Sequence, residues 1–335
     1  MLNVFLKVLF TLCVSLLISL QVFGKVYPIE EWAKRDQVTG VSLSPDGSKM
    51  AMLRIAKIGG NPLLEIYDSG DLSIRPFTMD SDPMEMIGFY WVSDDKIIFA
   101  SRQRVRDKID GWNQGVYENS LNLLTLKDFR KRKANIKKLT ELGRRAFLVD
   151  TLTKDPEHVI VGSYPKGQRS VTHYKFNRNT KRKYQITRES ENRYDMRFDG
   201  DAHPYLAFGY DGSINSRLTY HRAKGTDNWS VIDARNRSDF ESFTVAGYDP
   251  LDTTKLLVLA HNGRNTQGLW SFDPQENEFT ELLYGRYDGD VVAVRMHSNS
   301  YTEPDLITGV AFYDGRQRKF QWFDGQEKAI YEQLE

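Results

Sequence analysis

The sequence predicts an all-β fold, a β-propeller of about six or seven blades. Three observations carry that prediction. A β run, a polar turn and a second β run recur at intervals of about 50 residues, the spacing of a blade repeat. Aromatic residues make up 12% of the 335-residue chain, with 17 Tyr and 18 Phe, and such residues favour strands. Several runs are apolar at consecutive positions, as in Ile97-Ile98-Phe99 and Leu256-Leu257-Val258-Leu259. A strand with one wet face alternates, whereas a strand packed between neighbouring blades is apolar on both sides. A β-sandwich or an irregular all-β domain is the competing fold, and the repeat favours the propeller over both.

The first repeat runs from Val41 to Leu53 around the turn Ser44-Pro45-Asp46-Gly47. There Pro presets φ and Asp-Gly supplies the corner. The second runs from Phe89 to Ala100 around Ser93-Asp94-Asp95, and the third pairs Phe147–Val149 with His158–Val161 across Asp155-Pro156-Glu157. A weaker unit covers Ala202–Phe208 with a turn at Asp211-Gly212. The fifth pairs Val245–Tyr248 with Lys255–Leu259, and the last joins Leu306–Tyr313 to Arg318–Phe323. About 310 residues at about 50 per unit give six units or slightly more. No Pro/Gly/Ser-rich linker divides them, so residues 25–335 read as one propeller domain. A short helical lead-in is expected over Val26–Lys34, with Glu30 and Glu31 near its start.

Residues 1–24 read as a secretory signal peptide. Lys7 precedes an uncharged run from Val8 to Leu20. As a helix that run spans roughly 20 Å, short of the roughly 30 Å hydrocarbon core of a bilayer. Val22 and Gly24 suit the −3 and −1 positions of a cleavage site before Lys25. An uncleaved N-terminal anchor is the alternative. The only cysteine, Cys13, lies inside this run, and bulky Leu12 before it argues against lipidation. The mature chain would then hold no disulfide, no thiolate metal site and no thiol nucleophile. Export without disulfides suits a periplasm, so the expected location is periplasmic or secreted, with no membrane span after cleavage.

Lys and Arg number 46 against 45 Asp and Glu, which gives no net pull toward nucleic acid or membrane surfaces. The one local excess, Lys127–Arg145, has only Phe129 among its cations and reads as a solvated loop or a patch for an acidic partner. Nucleic acid is not an expected partner. The six histidines, His158, His173, His203, His221, His261 and His297, show no metal-ligand spacing, and His173 and His203 read as strand or turn residues. Asp94-Asp95 reads as turn chemistry rather than an acid–base pair. Asn228-Trp229-Ser230 and Asn236-Arg237-Ser238 match the glycosylation sequon, which matters only in a eukaryotic secretory route.

Several segments resemble the N-terminal propeller of prolyl oligopeptidase family serine peptidases, closest to exported bacterial dipeptidyl- and acylaminoacyl-peptidase-like members. They are Pro28-Ile29-Glu30-Glu31-Trp32-Ala33, Ser44-Pro45-Asp46-Gly47 with Lys49-Met50-Ala51, and Trp91-Val92-Ser93-Asp94-Asp95-Lys96-Ile97-Ile98-Phe99. Thr308-Gly309-Val310-Ala311 and Gln321-Trp322-Phe323-Asp324 resemble the late propeller of that group. Together they extend over most of residues 26–335. The resemblance implies a propeller that limits substrates to peptides, joined to an α/β-hydrolase domain carrying a Ser-Asp-His triad. Family propellers commonly have seven blades, so six legible units imply a fragment of a longer peptidase, a missing partner that completes the ring, or one blade more than the repeat count finds. No Gly-x-Ser-x-Gly nucleophile elbow occurs in the sequence. Accordingly no catalytic, cofactor-binding or metal-binding residue is assigned, no cofactor is expected, and acyl transfer would belong to a separate hydrolase domain. The expected partner is a peptide substrate or another protein. The expected role is the substrate-gating part of such a peptidase, inactive alone, with a stand-alone periplasmic peptide- or protein-binding module as the alternative. An enzyme with chemistry in its central channel is a weaker third reading.

Overall fold

A computed structural model describes residues 34–57, 59–106, 115–126, 136–236 and 243–334, together with 28, 29 and 239. The expected signal peptide over 1–24, most of the 26–34 lead-in, residues 127–135 of the basic segment and part of the second sequon lie outside them. The chain divides into Met1–Gln37 and Val38–Glu335. In the first unit, residues 34–36 have no regular structure.

The second unit holds six antiparallel sheets, each built from strands consecutive in sequence. The first contains β1 (Val38–Leu43), β2 (Lys49–Ile55), β3 (Pro62–Asp68) and β4 (Phe77–Met79). The second contains β5 (Glu85–Ser93), β6 (Lys96–Arg106), β7 (Val116–Leu126) and β8 (Ile136–Arg144). The third contains β9 (Ala146–Asp150), β10 (His158–Ser163), β11 (Thr172–Asn177) and β12 (Lys183–Arg188). The fourth contains β13 (Tyr194–Phe198), β14 (Pro204–Asp211), β15 (Ser216–His221) and β16 (Ser230–Asn236). The fifth contains β17 (Phe243–Tyr248), β18 (Leu256–Ala260), β19 (Gly268–Asp273) and β20 (Glu278–Tyr284). The sixth has three strands, β21 (Val291–Met296), β22 (Ile307–Asp314) and β23 (Gln317–Trp322), followed by helix α1 (Gly325–Glu332).

First strands begin at residues 38, 85, 146, 194, 243 and 291, an even interval of about 50 residues broken only by the longer second sheet. Four of the hairpins read from sequence join the first and second strands of a sheet. The other two do not. Phe208 and the Asp211-Gly212 turn belong to the β14–β15 hairpin, and Leu306–Phe323 covers β22–β23, so these two sheets start earlier, at β13 and β21. β13 is hard to read because Asp195 and Arg197 interrupt its apolar positions. Asp195 also takes a left-handed φ of 52°, and the register breaks between Tyr194 and Arg197. Ala202, expected to open a strand, sits in the preceding turn at φ 68°.

The apolar-on-both-faces strands divide their side chains between two cores. Ile97 and Phe99 pack with Leu64 and Ile66 of the first sheet, whereas Ile98 packs with Val159 and Val161 of the third. In β18, Leu256 and Val258 face the fourth sheet, and Leu257 and Leu259 face Val291 and Val310 of the sixth. Leu152 and Ile160 meet Met196 and Phe198 between the third and fourth sheets. Among the described residues, every apolar core lies between sheets adjacent in sequence. Burying each such side chain contributes about 1.5–3 kcal/mol, so sheet-to-sheet packing is the main source of stability.

The free face of the sixth sheet is covered by α1. Asp324 caps the helix, its Oδ1 accepting from the backbone N–H groups of Gln326 and Glu327 at 2.9 and 2.8 Å. Tyr331 packs on Phe320 and Trp322, with ring centroids 5.3 and 5.2 Å away, and the Arg295 guanidinium lies 4.4 Å from the Trp322 ring. No described helix is long and apolar enough to cross a membrane.

Candidate functional site

Two features stand out: a rim of Asp-bearing turns, and a pair of adjoining cavities beside it. At the rim, the sequence Ser44-Pro45-Asp46-Gly47-Ser48 folds on its own side chains. Asp46 Oδ1 accepts from Ser44 Oγ at 2.6 Å and from the Ser48 N–H at 3.0 Å, while Gly47 supplies the φ of 71°. The Ser44 hydroxyl, outweighing partial burial, holds the Asp46 carboxyl down to about 2. The Asp46 N–H in turn donates to Asp94 Oδ1 at 2.9 Å, so Asp94-Asp95 forms the next turn and links the first two sheets.

The loop between β21 and β22 reaches the first turns of the first and third sheets and strand β5 of the second. Asn299 Nδ2 donates to the Pro45 carbonyl at 2.9 Å, and the Tyr301 hydroxyl donates to the Trp91 carbonyl at 2.5 Å. Asp305 pairs with Lys154 of the third sheet's first turn. A cavity of about 510 Å³ lies among Pro45, Trp91, Thr151 and Tyr301. Nearby, Arg178 is 4% exposed and its Nη2 donates to the Asp155 carbonyl at 2.9 Å. Burial works against its charge, while Tyr301 and the carboxylates of Asp155 and Asp95 support it.

The larger cavities, about 760 and 660 Å³, share Asp150, Phe198, Tyr205 and Ala246. Three of these four stand on the first strands of the third, fourth and fifth sheets, so the groove follows directly from the repeat. Asp150 ends β9, and its Oδ1 accepts from the Leu152 N–H at 2.7 Å. Glu189 follows β12 and accepts from the Asp195 N–H at 2.8 Å. Burial pushes both carboxyls up. His173 on β11 is 2% exposed, with its ring 5.1 Å from that of Phe198 and its Nε2 3.8 Å from Glu189 Oε1. That spacing is too long for a hydrogen bond, and burial wins over the nearby carboxyl, lowering His173 to about 4. Tyr205 and Tyr248 stack with centroids 4.5 Å apart, and burial raises both hydroxyls.

The lining of the larger cavity offers rings, the three carboxyls of Asp150, Glu189 and Asp195, an imidazole and the Arg197 guanidinium. Such a set can bind and orient a ligand. Among the described residues no group of three His, Cys, Asp or Glu side chains could hold a metal ion. Of the histidines, His173 and His221 line the two cavities, His158 sits 3.0 Å from Asp155, and His203 Nε2 lies 3.1 Å from the Arg222 carbonyl. Arg144, at the end of the basic segment, lies 3.4 Å from Glu141. Asp150, Glu189 and Tyr205 carry no sequence motif. They are single residues far apart in sequence, Asp150 and Tyr205 on strands and Glu189 just after β12, and only the stacking of sheets brings them together.

No protein-family model matches the chain, and no curated protein sequence does. Solved structures share its fold. A prolyl endopeptidase chain superposes with a TM-score of 0.52 at 13% identity, over 85% of this chain and 41% of that one. Prolyl oligopeptidase B from Galerina marginata, bound to a 35-residue hydrolysis and macrocyclization substrate, gives a TM-score of 0.52 at 8% identity, over 84% and 41%. An acylaminoacyl peptidase from Pyrococcus horikoshii gives 0.44 at 13% identity, over 90% and 47%. The chain therefore spans less than half the length of these peptidases, and its β-sheet unit is similar in fold to part of the prolyl oligopeptidase-type chains.

Proposed function

We propose that the six sheets form a six-bladed propeller that binds peptides and gates their access to a prolyl-oligopeptidase-like hydrolase domain, and that this chain is itself inactive. The observation that carries the reading is the groove lined by the first strands of three consecutive sheets. In a propeller those strands face the central channel, where a filtering domain meets its substrate. The fold likeness to prolyl oligopeptidase-type structures supports it, as does the absence of a Gly-x-Ser-x-Gly elbow from the sequence. The bonds from Asn299 and Tyr301 to the first two sheets support closure of the ring without a seventh blade. The apolar run at Val8–Leu20 supports export to a periplasm or beyond.

The test is binding and turnover measured together on the purified chain from Lys25 onward. Fluorescein-labelled peptides of ten to thirty residues should bind saturably by anisotropy, with no cleavage by mass spectrometry after a day. Cleavage that survives repurification would make the chain an enzyme and overturn the gating role. Absence of binding to any peptide would remove the peptide reading altogether.

A further inference from the structure

The larger cavity has a charge arrangement that the fold does not need. Asp150 and Glu189 are both half-buried, Glu189 at 11% exposure, yet among the described residues neither has a Lys or Arg within ion-pair distance. Even a half-buried carboxylate loses part of its hydration, and a cation beside it offsets that cost. Arg197, which lines the same cavity, holds its guanidinium over the Phe208 ring at 5.3 Å, and its Nη1 donates to the Val245 carbonyl at 3.4 Å. Lys154 and Lys224, on the adjoining cavity, pair with Asp305 and Asp201.

His173 is the second, independent observation. It lines the same cavity, is 2% exposed, and its Nδ1 has no hydrogen-bond partner among the described residues. A buried ring nitrogen left open at a cavity wall is a group awaiting a ligand or a water. The remaining wall is aromatic. Phe147, Tyr164 and Tyr194 keep 39–40% of their surface exposed there. Rings of this kind attract cations through their faces, and the Arg145 guanidinium, 5.9 Å above the Tyr164 ring, already uses one outer face in that way.

We propose that this cavity is a subsite for the cationic side chain of a bound peptide, a lysine ammonium or an arginine guanidinium. The head group lies between Asp150 and Glu189, and its methylene stem runs along Phe147 and Phe198. The open Nδ1 of His173 accepts one hydrogen bond from the head group. A volume of about 760 Å³ accommodates an extended basic side chain together with the flanking peptide backbone. The inference rests on the reading of the groove as a peptide site and adds the class of side chain it selects.

The experiment compares capped, labelled peptides that differ at one central position, arginine or lysine against norleucine or glutamine, by anisotropy at neutral pH. The wild-type chain should bind the basic peptides at least tenfold more tightly than the neutral ones. In Asp150→Asn, Glu189→Gln and the double variant that preference should shrink, most of all in the double variant, where Asp195 is the one carboxyl left in the lining. Equal binding of basic and neutral peptides by the wild-type chain overturns the cationic subsite and leaves the peptide site standing. Binding of neither class overturns both. The wild-type comparison decides the matter even where a variant fails to fold.

Discussion

His173 and His221 are as buried as the aliphatic core, at 2% and 4% exposure, and burial lowers each to about 4. Their ordinary value is 6.5, so between pH 6.5 and 4 the unfolded chain binds protons that the folded one refuses. Stability is therefore full above pH 6.5 and falls as the pH drops toward 4. Glu189, 3.8 Å from His173, and Asp150, across the same cavity, act in the opposite sense, because their raised carboxyls take up protons first in the folded state. Asp46, held down to about 2, contributes only at more acid pH, through the window below 3.8. The urea midpoint should decline between pH 7 and 4.5, and His173→Gln should make that decline shallower. A variant whose pH profile overlays the wild type would mean that His173 is already protonated in the fold or reached by water.

At the scale of one strand, β6 shows how the sequence builds this fold. Ile97 and Ile98 are both 0% exposed but belong to different cores, so each stitches a different pair of sheets. Truncating either to alanine should cost about 2–5 kcal/mol in urea titrations. Leu43 on β1 is 56% exposed, and Leu43→Ala should stay within about 0.5 kcal/mol. Equal losses at Leu43 and Ile98 would mean that the sheets do not stack as described. The same contrast explains what could be read in advance. Consecutive apolar residues in β6 and β18 announce strands packed on both sides, and the Asp-Gly and Asp-Pro turns mark their ends. The first strands mix exposed with buried positions and charged with apolar residues, as in Tyr194-Asp195-Met196-Arg197-Phe198, so the pattern is hard to read in the strands that line the groove. The candidate site was illegible for the same reason. Asp150 and Glu189 stand 39 positions apart (189 minus 150), one at the end of β9 and the other just after β12, and no local pattern records their convergence.

Over the whole β unit, stability resembles that of a repeat protein, in which each sheet holds its sequence neighbours. The described apolar cores join the first sheet to the second and so on to the sixth, whereas the sixth reaches back to the first two through the loop at Asn299 and Tyr301. An array held that way has a weak link where its ends meet, because a hydrogen bond contributes only about 1 kcal/mol against the several of an apolar core. The Asn299→Ala/Tyr301→Phe pair should lower global stability by about 2 kcal/mol at most. Its larger effect should be local. Amide exchange should accelerate in residues 42–47, 89–91 and 297–306, while β10 and β18, in the middle of the array, keep their protection. Uniform acceleration across all six sheets would mean that the ends are coupled as tightly as the interior. Unchanged exchange at the three segments would mean that the ends meet through other contacts, and the ring closure proposed on these two bonds would fall.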